Sequence, residues 1–340
     1  RMVEIGVEFR YGIRIGHDKA LKELRDEYQA VLITVGAHGG KSLGMTHEEV
    51  QPSGYIQGVK FLRDLNTLHH LGEFKPPEGG HLVVVGGGNV AMDCARSAKR
   101  LGYPRVSVIY RRTEKEMPAH EEEIHDAKSE GIEFHFLTHP IRLEVKDGKV
   151  TGLTCIRMEL GEPDASGRCR PVEVRGSDFF MACDIVIPAI GQVADFSLFT
   201  GDFPIETTRW GTIKIDEETM VTSQDGIFAG GDCVSGPKSL IEAMAQGLHV
   251  AHCIDQYLCG EKMSLPEHER MFRLIKAMGL PQSPVNRVGR KARCQIEMRP
   301  VEERISDFHE IEGGYTPEEA IREAERCLRC YRMAMFLTEK

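Results

Sequence analysis

A glycine-rich turn after a short apolar run is the stretch of this sequence most clearly suited to chemistry. Residues 81–85 read HLVVV and lead into Gly86-Gly87-Gly88-Asn89-Val90-Ala91. Gly86, Gly88 and Ala91 fit the G-x-G-x-x-G/A pattern. In that pattern the glycines allow a tight turn and close approach of a pyrophosphate, and the last small residue lets a helix pack near the strand. Unpaired N–H groups at the helix N-terminus would favour the diphosphate. We therefore expect residues 86–91 to bind a dinucleotide.

Two arginines follow the next predicted strand, which runs from Val106 to Tyr110. In NAD-binding folds this strand normally ends in Asp or Glu, whose carboxylate binds the ribose 2′-hydroxyl. Here Arg111 and Arg112 stand at that point instead. A guanidinium can pair bidentately with a 2′-phosphate, so the position favours NADPH over NADH. The alternative is a basic pair on the surface at the end of a strand.

A second glycine motif lies much later in the chain, where Gly230, Gly231 and Asp232 end a predicted strand. A carboxylate at this position can accept hydrogen bonds from the ribityl hydroxyls of a flavin. The N-terminus of the helix that follows Pro237 would favour negative charge at the flavin ring. By spacing alone, a structural turn is an equally good interpretation.

Cys327 and Cys330 form a C-x-x-C pair near the end of the sequence. A redox disulfide, half of a metal site and two unrelated thiols are all compatible with this spacing. A split iron–sulfur site would need further ligands from a partner or from beyond this sequence. The histidines show no H-x-x-x-H or comparable spacing, so metal catalysis is not expected.

The elements around these motifs follow an alternating order. Strands are predicted at 31–37, 81–85, 105–110, 132–137 and 184–191, with helices at 55–68, 89–101 and 119–131 between them. This order is typical of nucleotide-binding α/β folds. We also expect a strand at Val7–Tyr11, an antiparallel meander over 141–180, a strand at Thr212–Ile215 and a long helix from Ser239 to Leu258.

Composition narrows the class of protein. The chain has 340 residues, a net charge of −9 and no apolar run near the ~18 residues that a membrane-spanning helix needs. The acidic balance argues against a nucleic-acid binder. Ten cysteines are scattered mostly singly through apolar segments, with Cys94, Cys155, Cys183 and Cys253 typical of core thiols. This cysteine usage predicts a reducing, cytoplasmic setting.

Taken together, the motifs resemble the glutamate synthase small (beta) subunit and related FAD-dependent NAD(P)H oxidoreductases, which include electron-bifurcating NADPH transhydrogenase subunits. The resemblance rests on residues 31–37, 84–93, 110–113 with 117–119, 187–191 and 226–232, in that order. It implies an α/β fold with two dinucleotide-binding domains, in which an NADPH domain is inserted into a discontinuous FAD domain. The expected division is 1–80 and 191–260 for FAD, 81–190 for NAD(P)H, and 261–340 for a C-terminal extension with the C-x-x-C pair.

The resemblance also implies roles for individual residues and partners. Residues that would bind the cofactors are Gly86, Gly87, Gly88, Asn89, Val90, Ala91, Arg111 and Arg112 for NADPH, and Gly191, Gly231 and Asp232 for FAD. Cys327 and Cys330 would border or ligate an iron–sulfur cluster. Relatives carry another glycine-rich turn, for the ADP half of FAD, ahead of the region that matches residue 1, so we expect that segment to be missing here.

These features favour an electron-input subunit that moves electrons between NADPH, FAD and the iron–sulfur centres of a larger complex. Its partner would be an iron–sulfur or acceptor subunit. A non-catalytic subunit that senses NADP(H) is the main alternative. A thiol–disulfide reductase that uses Cys327 and Cys330 ranks last, because reductases of this kind carry their cysteine pair beside the flavin.

Overall fold

The computed structural model describes residues 2–163, 167–197, 199, 204–277 and 292–326. The strands in these residues are β1 (Val31–Ile33), β2 (Gly39–Gly40), β3 (His81–Val85), β4 (Arg105–Ile109), β5 (Glu133–His135), β6 (Thr138–Lys146), β7 (Lys149–Pro163), β8 (Cys169–Glu173), β9 (Phe179–Ala182), β10 (Ile185–Pro188), β11 (Gln192–Val193) and β12 (Ile227–Ala229). The helices are α1 (Leu21–Glu27), α2 (Gly58–Leu68), α3 (Asn89–Arg100), α4 (Glu121–Ser129), α5 (Asp232–Ser235), α6 (Leu240–Leu258), α7 (Glu267–Ala277), α8 (Val301–Arg304) and α9 (Pro317–Ala324).

Four parallel strands in the order β10-β3-β4-β5 form the central sheet. Every residue of β3 is buried, because both faces of the sheet are covered. Helices α2, α3 and α4 cover one face through Phe61, Met92 and Ile124. Two-sided burial is what makes a parallel strand a continuous apolar run in the sequence.

The other face of the central sheet packs on an antiparallel sheet, which confirms the meander expected in this region. Strands β6, β7 and β8 lie side by side, and β9 pairs with β7. Leu143 of β6 and Leu153 of β7 are fully buried against Val83 and Val85 of β3. The antiparallel sheet is therefore part of the body that holds the glycine turn.

A second parallel pair, β1 with β12, forms the core on which α1 and α6 pack. Val31 pairs with Ile227 and Ile33 with Ala229. Leu21 of α1 packs on one face, and Val250 of α6 packs with Phe228 on the other. The pair is connected to the central sheet through β2 and β11, which form an antiparallel two-stranded ladder.

A buried carboxylate fixes the segment that leads from β2 to α2. Glu48 is 5% exposed. Its oxygens accept hydrogen bonds from the Ser42 hydroxyl, from the main-chain N–H groups of residues 43, 44 and 45, and from the Tyr55 hydroxyl. Burial raises the pKa of Glu48, but these donors outweigh burial and the pKa lies below its usual value. The carboxylate thus satisfies main-chain N–H groups that a loop cannot pair internally.

A cluster of buried charges joins the C-terminal residues to the helices of the central sheet. Glu130 is 2% exposed and forms ion pairs with Arg96, Arg100 and Arg304 at 2.9, 3.2 and 3.2 Å. Arg304 lies in α8 and also donates to the Ser129 hydroxyl at 2.7 Å. These contacts hold α8 against the end of α4.

Two of the expected strands are wrong. Residues 7–11 contain no strand, and the rings of Phe9 and Tyr11 stack on each other at 5.9 Å at exposed positions. Thr212–Ile215 shows only a single bridge, between Thr207 and Ile213. Alternating apolar residues indicate a strand only where a neighbouring strand can pair with them, and neither segment has one among the described residues.

Candidate functional site

The glycine turn stands where the strand order of the central sheet reverses. The chain runs from β3 outward to β4 and β5, and then returns to the other side of β3 as β10. The connections that leave the carboxyl ends of β3 and β10 therefore begin side by side at Gly86, with the Ala189 N–H bonded to the Val85 carbonyl at 2.8 Å. Open α/β sheets bind ligands at this type of crevice.

The three glycines of the turn are needed for three different reasons. Gly86 has φ +151°, and an added Cβ would lie 2.3 Å from the carbonyl oxygen of Ala189. At Gly87 an added Cβ would overlap the Tyr110 ring at 2.6 Å. At Gly88 the nearest described atom would be Pro118 Cγ at 3.8 Å. Only at Gly88 is there open space on the Cβ side, so the backbone there can be approached by a ligand.

The three residues after Gly88 begin α3 with different surroundings. The N–H groups of Ala91 and Met92 already bond to the Gly88 carbonyl, at 2.9 and 3.2 Å. Ala91 is fully buried against the central sheet, Val90 is half-buried and Asn89 is exposed. The Asn89 side chain accepts a hydrogen bond from the His120 N–H at 3.1 Å. Asn89 thus ties the start of α3 to the segment that precedes α4.

The two arginines after β4 lie in different environments. Arg111 is exposed, and its guanidinium makes no ion pair with a described residue. Burial, together with the neighbouring guanidiniums of Arg112 and Arg168, lowers the pKa of Arg111. Arg112 is only 7% exposed, and its Nε donates to the main-chain carbonyl of Cys169 at 2.7 Å. The structure therefore presents Arg111 to solvent and uses Arg112 in a contact with β8.

A second concave site lies at the carboxyl ends of β1 and β12. It is an open pocket of about 370 Å³, within the range of small-molecule sites. Its lining comes from β1 and the residues just after it, from the turn after β12, and from the first three turns of α6 with the two residues before them: Leu32, Thr34, Gly36, Gly230, Gly231, Asp232, Lys238, Ser239, Leu240, Ala243, Gly247 and Val250. The structure thus brings Gly231 and Asp232 together with Leu32, Thr34 and Gly36 from a much earlier part of the chain.

Local hydrogen bonds shape the turn at Gly231. This glycine has φ +77°, which favours glycine, and its N–H donates to the Gln246 side chain at 2.7 Å. Asp232 Oδ1 accepts from the Lys238 N–H at 3.2 Å. Ser239 caps α6 and exchanges hydrogen bonds with Glu242. The first turn of α6 therefore lines the pocket, and its first N–H groups have no carbonyl acceptor within the helix.

Gly191 lies in the connection between the two sites and not inside the pocket. Its φ is +126°, and the Lys41 side chain covers the position of an added Cβ at 3.5 Å. The Gly191 carbonyl accepts from the Lys41 N–H at 3.2 Å. Gly191 thus permits the close pairing of β11 with the segment around β2.

Sequence patterns gave no indication of several residues at these sites. Gln246 lies in the middle of α6, and Lys41 and Arg168 belong to no motif. Thr34 and Gly36 belong to the stretch 31–37, which the sequence marks as a strand and as part of the family resemblance but to which it assigns no binding role. Each of these residues reaches its site through tertiary packing, for which one sequence carries no local signal.

The cysteines and possible metal ligands divide between described and undescribed residues. Cys327 and Cys330 lie outside the described residues. Within the described ranges, no three His, Cys, Asp or Glu side chains come together as a metal site. Cys94, Cys155, Cys183 and Cys253 are buried, as expected of core thiols. None of the helices that the structure describes is long and apolar enough to cross a membrane.

Residues 5–247 match the family model described as pyridine nucleotide-disulphide oxidoreductase. The chain belongs to this family. Membership confirms the expected class of enzyme, an oxidoreductase of the kind that uses NAD(P)H and FAD. It also agrees with the resemblance to the glutamate synthase small subunit.

Several curated relatives of this pyridine nucleotide-disulphide oxidoreductase are subunits of larger enzymes. The NADP(+)-dependent formate dehydrogenase subunit beta of Moorella thermoacetica is 45% identical, over 98% of this chain and 46% of the relative. The NADPH-Fe(3+) oxidoreductase subunit beta of Geobacter sulfurreducens is 37% identical, over 97% and 52%. The glutamate synthase (NADPH) small chain of Escherichia coli is 36% identical, over 75% and 56%. The chain spans about half the length of these relatives.

Solved structures share the fold of this family member. Mycobacterium tuberculosis FprA in complex with NADPH superposes with a TM-score of 0.57 at 20% identity, over 79% of this chain and 74% of that one. Lactococcus lactis thioredoxin reductase gives 0.51 at 20% identity, over 68% and 66%. These similarities confirm the α/β fold with two dinucleotide-binding domains.

Proposed function

We propose that this chain is the NADPH-oxidising part of an electron-transfer complex, in which electrons pass between NADPH, FAD and iron–sulfur centres. The observation that carries the proposal is the pairing of two sites, each at the carboxyl ends of parallel strands, across the β2–β11 ladder. When both cofactors are bound, the nicotinamide supplies a hydride and the flavin can pass the two electrons on one at a time.

The glycine turn is the proposed NADPH site. Gly88 leaves the backbone open for a diphosphate, and the start of α3 favours negative charge there. Gly86 and Gly87 let the turn pack against Ala189 and Tyr110. The exposed guanidinium of Arg111 is suited to a 2′-phosphate, which is why we propose NADPH and not NADH.

The pocket beside α6 is the proposed flavin site. Asp232 offers a carboxylate at its edge, and Gly36 and Gly247 line it without side chains. An added Cβ on Gly247 would meet nothing within 4 Å, so this helical glycine leaves room for a ligand and not for a packed neighbour. The N-terminal turn of α6 would place partial positive charge beside the flavin.

We further propose where the two domains divide. The expected boundary was residue 80, but Phe61 of α2 packs in the core of the central sheet and Tyr55 bridges to Val186 of β10. We propose that the NADPH domain begins near residue 41, just after β2, and ends near β11. The FAD domain would then comprise the segments on either side of that insertion.

The proposed partner is an iron–sulfur or acceptor subunit. Support comes from the relatives, which are named as beta subunits or small chains of NADPH-linked enzymes. In this proposal Cys327 and Cys330 border or ligate a cluster at the interface with the acceptor. All the described cysteines are free thiols, which supports a reducing, cytoplasmic setting.

The test is cofactor analysis of the native assembly, followed by anaerobic addition of NADPH. We expect stoichiometric FAD, whose absorbance band bleaches with NADPH and much more slowly with NADH. Asp232→Asn should lower FAD occupancy, whereas Asp255→Asn, an exposed control on α6, should not. An assembly that contains no flavin would refute the proposal and would leave a non-catalytic NADP(H)-binding subunit as the better interpretation.

A further inference from the structure

Main-chain hydrogen bonds attach the segment that enters β6 to the residues that follow β4. The Thr138 N–H bonds to the Tyr110 carbonyl at 3.1 Å, and the Leu137 N–H bonds to the Arg112 carbonyl at 3.1 Å. Arg111 lies between these two bonded residues. Its backbone is therefore fixed by the segment that enters β6, and its side chain extends from a rigid base.

The same strand end is attached to the β7–β8 pair. Arg112 is buried, and its Nε donates to the carbonyl of Cys169, the first residue of β8. Cys169 in turn pairs with Pro163, the last residue of β7. This side-chain hydrogen bond thus attaches the far end of β7–β8 beside the exposed Arg111.

Arg168 directly precedes Cys169 and is therefore carried to the same place. Its charge lies close enough to lower the pKa of Arg111, after burial and Arg112. His139 of β6 also faces this group, and burial and the Arg111 charge lower the pKa of His139 while Glu173 opposes them. Arg168 thus lies beside Arg111 at the end of β4, where a bound anion would weaken the repulsion between these two guanidiniums.

We propose that Arg168 is a second specificity-determining residue for the 2′-phosphate of the dinucleotide, acting with Arg111 while Arg112 holds β7–β8 in place. The inference rests on the proposed NADPH site and extends it to a residue of the antiparallel sheet. Arg111 and Arg168 come from different segments and can surround a phosphate monoester more completely than Arg111 with Arg112, whose guanidinium is held against the Cys169 carbonyl. The ligand group recognised is a phosphate on the ribose 2′-oxygen.

Binding of two adenosine nucleotides tests the idea without FAD or turnover. Calorimetry would measure the affinity of the chain for adenosine 2′,5′-bisphosphate and for adenosine 5′-monophosphate, which lacks the 2′-phosphate. We expect Arg168→Gln and Arg111→Gln each to lower the ratio of the two affinities by about tenfold, since a charge-assisted hydrogen bond is lost. Arg175→Gln, an exposed control in the turn between β8 and β9, should leave the ratio unchanged.

Each other outcome has a definite meaning. An unchanged ratio in Arg168→Gln beside a reduced ratio in Arg111→Gln would overturn the role of Arg168 and leave the proposed NADPH site intact. Equal weakening of both nucleotides in Arg168→Gln would mean that Arg168 only supports the sheet, which also overturns the inference. If the unaltered chain binds both nucleotides equally, the preference for NADPH itself fails.

Discussion

The carbonyl oxygen of Ala189 lies 2.3 Å from the position that a Cβ on Gly86 would occupy. This close approach joins the carboxyl ends of β3 and β10 at the reversal point of the central sheet. Gly88, two residues later, has open space at the same position. Two glycines of one motif therefore have separable roles, the first in folding and the second in ligand approach.

Gly86→Ala should destabilise the central sheet. The methyl group would overlap the main chain of Ala189, and φ +151° strains any residue with a side chain. We expect the free energy of unfolding to fall by about 2 kcal/mol or more, as measured by chemical denaturation.

Gly88→Ala is the matched variant. Its φ of −95° suits any residue, and the nearest atom to the new methyl would be 3.8 Å away. We expect nearly unchanged stability but weaker binding of NADP⁺. A loss of stability as large as that of Gly86→Ala would contradict this separation of roles.

Glu130→Gln should be strongly destabilising, because three arginines share this buried carboxylate. Breaking a buried ion pair typically costs about 3–5 kcal/mol, and here Arg100 loses its carboxylate partner while Arg96 and Arg304 keep ion pairs with Asp126. Limited proteolysis should also show earlier cleavage around residues 292–312, which Arg304 attaches to α4. The control is Glu133→Gln, whose exposed pair with Arg105 is expected to contribute about 0–1 kcal/mol. Similar losses in the two variants would argue against a special role for Glu130.

Stability should depend on pH through Glu48. Its pKa lies below the ordinary value of 4.5 in the folded chain, so the ionised carboxylate stabilises the fold above that pH. This contribution is lost as the pH falls through the folded pKa. Unfolding free energies of the unaltered chain and of Glu48→Gln should differ most at neutral pH and converge in acid. A difference that stays constant with pH would exclude ionised Glu48 as its source.

Thiol reactivity should separate the buried Cys155 and Cys183 from the exposed Cys259. Burial raises the pKa of Cys155 and of Cys183 to about 12, so the reactive thiolate is scarce. Cys259 is exposed. Mass spectrometry after brief native treatment with iodoacetamide should find Cys259 modified and Cys155 and Cys183 intact, whereas denaturant should make all three react. Rapid native modification of Cys155 would show that the antiparallel sheet opens.

Much of the central sheet could be predicted from the sequence. Strand β3, helix α3 and strand β4 follow directly from a continuous apolar run, a glycine turn and a helical pattern, because burial on both faces leaves a strong local signal. The long helix α6 was expected from Ser239, which the structure shows as its capping residue. The turn at Gly231 was also expected, and it lies in the second pocket.

The sites themselves were only partly visible in the sequence. The pattern treated Arg111 and Arg112 alike, yet one is exposed and the other is buried against Cys169. That difference depends on β8, more than fifty residues later in the chain. Likewise, Gln246 reaches Gly231 only because α6 packs on β12. Such contacts arise from long-range packing, and hydrophobic periodicity carries no information about them.

The ladder of β2 with β11 has a mechanical consequence. It is two residues long on each side, and its strands run in opposite directions between the two sheets. Moving the two sheets apart would strain β2 and β11 at the same time. A ladder of two residue pairs resists bending about its own axis only weakly. We therefore expect relative motion of the two nucleotide sites to be mainly a rotation about this ladder. Such a swing would change the distance between the cofactors while leaving each glycine turn unaltered.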